Sequence, residues 1–277
     1  MTLSSLSPTL AKASAVLHRS VVGVALAAAA AGALAVDLPQ FSFNPGAVGL
    51  TGSSFTGDNI LISDYSNVTS TSPTTFSENG FLAISGIQLG GATLTPGGLN
   101  STYGLYIAFS GAGTATAGDP KTTVSTGAFT SLDYTLYGYN GAATFGFAGT
   151  TPTETATGEV VLATGKLIGG TVVTVPTGDG TTFTPSASAQ LSFTPAAGAA
   201  GFFGTPTPFF GTAFAAFTNT TSQVEPFAGG GGFLIRQGGG AFNFAAVTPI
   251  PEPETYALML AGLTGLGFVS FARRRQR

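Results

Sequence analysis

Asp58 and Asp64 stand six residues apart with Asn59 and Asn67 beside them. Such an oxygen-rich set could ligate Ca²⁺ or, as a carboxylate pair, work on a glycosidic bond. The spacing is not that of an EF-hand loop, and a glycosidase needs its two carboxyls across a sugar cleft, which spacing alone does not place. Asx side chains that cap turns account for the same residues without any ligand. Nucleophilic and transition-metal chemistry has less to draw on. The chain has no cysteine and a single histidine, His18, so Ser-His-Asp and Cys-His arrangements and thiolate metal sites lack their partners. Gly165-Lys166 mimics the end of a phosphate loop, but Val160 and Leu167 stand where that motif requires Gly and Ser or Thr, so Lys166 is expected on a strand. No cofactor is expected and no catalytic residue is assigned. The reading is of a non-enzyme, with a secreted carboxylate-based glycan-active enzyme as the alternative.

Aromatic residues offer a second kind of chemistry, because ring faces stack on sugars. Tyr103, Tyr106, Tyr134, Tyr137 and Tyr139 combine a ring with a hydroxyl and are candidates for a sugar-binding face. Phe202, Phe203, Phe209, Phe210, Phe214 and Phe217 are expected to fill a core instead. Asn67, Asn100 and Asn219 each open an Asn-x-Thr sequon in a Thr-rich chain. Between residues 36 and 248 the only cations are Lys121, Lys166 and Arg236 against ten carboxylates. Three scattered cations make no phosphate-binding patch, which excludes nucleic acid as a partner. The same low charge leaves little repulsion between copies, so self-association through poorly defended strand edges is expected.

The elements that must position these residues are strands. Gly 41 and Pro 16 with abundant Thr describe a turn-rich β chain, and hydrophobic residues at 43% are enough for a core. Tyr103, Leu105, Ile107 and Phe109 alternate with Gly104, Tyr106 and Ala108, and Leu132, Tyr134 and Leu136 alternate with Asp133, Thr135 and Tyr137. Further strands are expected over 81–89, 142–148, 159–167, 171–175, 189–193, 211–218, 233–237 and 242–247. Turn signals fall at 96–98, 118–120, 178–180, 229–232 and 238–240. The pattern predicts an all-β body, an antiparallel sandwich or jelly-roll-like fold over residues 36–248.

Both ends carry addresses. Lys12, His18 and Arg19 precede an apolar run from Val21 to Leu34, and Ala33-Leu34-Ala35 is a small-x-small cleavage site, so residues 1–35 read as a signal peptide with a signal helix. At the other end, residues 249–277 hold Pro251-Glu252-Pro253, an apolar stretch from Tyr256 to Ala272, and Arg273, Arg274 and Arg275. Seventeen helical residues extend about 25 Å, close to the minimum for a bilayer core. Arginines stay cytoplasmic, which places the body outside the inner membrane.

This order of Pro-Glu-Pro, short hydrophobic transmembrane helix and terminal arginine cluster resembles the sorting signal of bacterial PEP-CTERM proteins. The resemblance implies a Gram-negative host, transient residence in the inner membrane and processing by an exosortase near Pro251, Glu252 and Pro253, with the protein ending at the cell surface or in the extracellular matrix. A plain membrane anchor is the other reading of the same tail. The run Phe41-Ser42-Phe43-Asn44-Pro45-Gly46, followed by Phe55-Thr56-Gly57-Asp58-Asn59-Ile60 and Ser63-Asp64-Tyr65-Ser66, is similar to the opening of flocculation-associated PEP-CTERM proteins. That likeness implies a role in floc or biofilm formation with extracellular polysaccharide as a partner.

Overall fold

Tyr103, Leu105 and Ile107 turn inward while Ser110 further along the same strand is exposed, so the sequence alternation becomes two faces of one sheet. In the computed structural model, which describes residues 38–94 and 96–244, eight strands are built this way. They are β1 (Asn59–Ser72), β2 (Thr75–Leu89), β3 (Tyr103–Ala115), β4 (Ser125–Asn140), β5 (Val160–Pro176), β6 (Phe183–Ser192), β7 (Thr212–Thr218) and β8 (Gly232–Phe244). Each pairs antiparallel with the next, and β8 returns to β1 with Phe242 opposite Ile60 and Gly232 opposite Thr69. The result is a closed up-and-down barrel.

The all-β, antiparallel expectation holds, and the sandwich or jelly roll is corrected to a barrel. Alternation of apolar and polar residues is the same in both architectures, so it does not separate them. Closure comes from coiling. Register shifts at Leu61/Ile62, Ala112/Gly113, Val161/Ala163, Leu167/Gly169 and Arg236/Gly238 bend the strands around the axis. Two expected breaks disappear in this bending. Residues 159–167 and 171–175 belong to one strand, β5, and the glycines at 238–240 lie inside β8 rather than in a turn. Gly240 is needed there because a Cβ would stand 2.5 Å from the Ala216 carbonyl oxygen and 2.9 Å from the Phe217 ring.

Closure also removes the free edges on which edge-to-edge self-association was to depend, since every barrel strand has two partners. The outer wall is largely polar, with Asn79, Ser110, Ser131 and Ser188 exposed beside a few apolar side chains such as Ile168 and Phe214, while Ile62, Leu82, Ile107 and Leu191 face inward. A lipid-facing barrel has the opposite polarity. No helix among the described residues is long and apolar enough to cross a membrane. The signal and sorting segments, with Ala33, Ala35, Pro251, Glu252, Pro253 and Arg273 to Arg275, lie outside the described residues.

One end of the barrel is stoppered. Phe41–Phe43 pairs with Phe55–Gly57 as a short antiparallel ribbon. Phe43 is 1% exposed, with ring centroids 4.7 Å from Phe202, 5.6 Å from Phe203 and 6.2 Å from Phe244. Phe202, Phe203 and Phe210 are buried as expected of core residues, whereas Phe214 is 45% exposed on the outer wall of β7.

Candidate functional site

The barrel encloses a lumen of about 170 Å³. Its mouth lies at the end opposite the phenylalanine plug, among Ser72, Pro73, Thr116, Pro120 and Ser125. Aromatic and aliphatic side chains make most of the wall, with Phe76, Phe129, Phe217 and Phe242 among them.

Two carboxylates interrupt that apolar lining. On β1 the inward row runs Ile60, Ile62, Asp64, Ser66, and on β2 it runs Phe76, Glu78, Gly80, Leu82. Ser66 is paired with Gly80, Asp64 with Leu82 and Val68 with Glu78. Gly80 supplies no side chain opposite Ser66, and a Cβ there would come within 2.7 Å of the Ser66 Cβ. Asp64 and Glu78 thus stand on either side of the Ser66–Gly80 pair, on the same inward face, and the Glu78 charge is felt at Asp64.

Asp64 is 2% exposed and its Oδ1 has no hydrogen-bond partner. Ser66 Oγ and Asn219 Oδ1, both buried, are also unpartnered. Loss of hydration on burial raises the Asp64 carboxyl well above its ordinary value, and the Glu78 charge raises it further. Burial raises Glu78 to about 7. With both carboxyls raised, the two retain protons at a pH where ordinary carboxyls have lost them, so they can donate as well as accept.

The structure divides the residues singled out in the sequence. Asp58 is at the plugged end, where its Oδ2 accepts from the Gly90 backbone N–H at 2.5 Å, which is turn capping. Asn67 faces outward and donates to the Thr150 carbonyl at 2.6 Å. Asp58 and Asp64 thus do not converge on one calcium ion, because the first closes a turn beyond the end of β1 and the second points into the barrel. Lys166 is the expected strand lysine, 2.7 Å from Asp133 on the outer wall.

The tyrosines separate as well. Tyr103 and Tyr134 face inward, and Tyr134 donates to the Ser192 carbonyl at 2.9 Å. Tyr106, Tyr137 and Tyr139 lie on the outer wall, where a hairpin of Phe145–Ala148 and Thr151–Glu154 packs over them. Tyr106 and Tyr137 stack at 5.1 Å, and Tyr106 donates to Glu159 Oε1 at 3.4 Å. Tyr106 and Tyr139 are buried by this packing, leaving half-buried Tyr137 as the reachable ring.

Glu78, Ser66 and Asn219 were not singled out as a site in the sequence. A usable signal existed in the Ser72-Pro73-Thr74 turn, since a hairpin centred on Pro73 sets residues 64 and 78 on one face.

Comparison with known proteins identifies one segment. The PEP-CTERM protein-sorting motif matches residues 249–276. No curated protein and no solved structure matches the chain. The motif implies export and exosortase-dependent surface or extracellular localisation in a Gram-negative bacterium.

Proposed function

We propose that this chain, a PEP-CTERM protein by its C-terminal sorting motif, is a cell-surface or matrix barrel that promotes floc or biofilm formation by binding extracellular polysaccharide, without turnover. The observation that carries the reading is the junction of that motif with a barrel whose outer wall is largely polar and whose core is apolar, a body suited to water outside the inner membrane. The last described strand ends at Phe244, whose ring packs in the plug, at the end of the barrel opposite the mouth. The likeness of residues 41–66 to flocculation-associated proteins supplies the floc role.

Tyr137 is the proposed sugar contact. Its ring is backed by Tyr106, and Glu159 beside them can accept from sugar hydroxyls. Self-association in this reading uses the outer wall, where Phe214 and Ile168 are exposed, because the barrel strands offer no edge.

One observation favours a second reading, a glycan-active enzyme. Asp64 and Glu78 line the same lumen, and a carboxyl raised to about 7 is suited to general acid work. Against it, a narrow lumen stoppered at one end does not let a polymer chain pass.

Incubating the exported protein with the host's extracellular polysaccharide separates the two. The expected result is co-sedimentation with no new reducing ends, weakened at least several-fold by Tyr137→Ala with the barrel's circular dichroism unchanged. Reducing ends released by the wild type and lost in Glu78→Gln would establish the enzyme instead.

A further inference from the structure

The lumen belongs to neither polysaccharide binding nor sorting, yet its polar groups are arranged as though for a guest. Water-filled or empty, a purely structural barrel core gains nothing from a buried Asp whose Oδ1 is unpartnered, since an unpaired buried carboxylate destabilises the fold. Asp64, Ser66 and Asn219 are each at least 97% buried and each leaves an oxygen without a partner. Asp64, Glu78 and Asn219 line the cavity itself. The unsatisfied atoms are all oxygens that can accept, and the walls around them are largely hydrocarbon.

We propose that the barrel lumen is a binding site for a small organic cation, an amine with a compact apolar or aromatic body, its ammonium group held by Asp64 and Glu78 and its body by the phenylalanine-rich wall. The three N–H donors of a primary ammonium match the acceptors offered by the two carboxylates and the Asn219 Oδ1. Aromatic faces at Phe76, Phe129 and Tyr134 add cation–π and packing contacts. The lumen of about 170 Å³ is close to the cavity of about 150 Å³ that accepts benzene. The guest is therefore of benzylamine size rather than a lipid or an oligosaccharide.

The charges around the pair fix the sign of its pH dependence. Among the residues lining the lumen, β1 contributes Asp64, β2 contributes Glu78 and β4 contributes Tyr134, while β3, β5, β6, β7 and β8 contribute no titratable group. With no cation of its own in the lumen, the pair is neutralised by protons when empty and by the ammonium when filled. Amine binding releases protons, so affinity rises with pH between about 5.5 and 8 while the amine itself stays charged.

Calorimetric titration of the exported protein with benzylamine, with toluene and benzyl alcohol as neutral counterparts and CaCl₂ as a metal arm, tests this. Expected are benzylamine binding at least tenfold tighter than either neutral probe, a tenfold or greater gain from pH 5.5 to 8, and a loss of at least tenfold in both Asp64→Asn and Glu78→Gln. Unchanged circular dichroism shows that these variants remain folded. No binding by the wild type, equal affinity for toluene or benzyl alcohol, or undiminished affinity in both variants would each overturn the proposal. So would Ca²⁺ that binds through the pair and excludes benzylamine, because the site would then belong to a metal.

Discussion

Replacing Glu78 by Gln should make the barrel more stable at pH 8, raising Tm by about 5–10 °C, and should change it little at pH 4. The sign follows from proton binding. Burial raises the Glu78 carboxyl from its ordinary 4.5 to about 7, so the folded chain holds a proton that the unfolded chain releases between those values. Stability is therefore fully present below about pH 4.5, falls as pH rises through 7 and levels off above it, a loss of about 3 kcal/mol. Gln keeps the shape and removes the ionisation. Asp64→Asn should act in the same direction, since Asp64 too is raised by burial and by its neighbour. Thermal melts from pH 4 to 8 check this, and a wild-type curve flat across that range would contradict a Glu78 carboxyl raised to about 7. Gain of stability on removal of a polar group is a mark of a site kept for something other than folding.

The plug should respond in the opposite way. Phe43→Ala is expected to destabilise the fold by about 3–5 kcal/mol, the usual cost of truncating a buried Phe. Phe43 is 1% exposed and touches rings from the 202–209 loop and from the end of β8. Denaturant unfolding measures the loss, and a change below about 1 kcal/mol would mean that the ribbon is not the stopper described here. The opening residues of the body are thus largely architectural, since Phe41 and Phe43 close the barrel end and Asp58 caps a turn.

Strand content and antiparallel pairing were legible because Tyr103 to Phe109 and Leu132 to Tyr137 alternate cleanly. β1 was not, and its side chains show why. Asp64 and Ser66 occupy inward positions while Leu61 and Tyr65 point outward, so the polarity pattern inverts where the carboxylate pair lies. The sequence signal for the strand thus fails at the site itself. Gly238 to Gly240 misled for a different reason, as glycine marks close backbone approach as well as turns. Barrel closure depends on register shifts and on β8 meeting β1, contacts between residues some 170 positions apart that no local pattern encodes.

Export and sorting are most directly tested by the intact mass and N-terminal sequence of protein recovered outside the cell, with and without an active exosortase. The expected product begins at Val36 and, where exosortase is active, lacks the arginines from Arg273 onward, while cells without it retain the tail and keep the protein at the membrane. An extracellular chain that starts at Met1, or one that still carries Arg277 in exosortase-active cells, would contradict this.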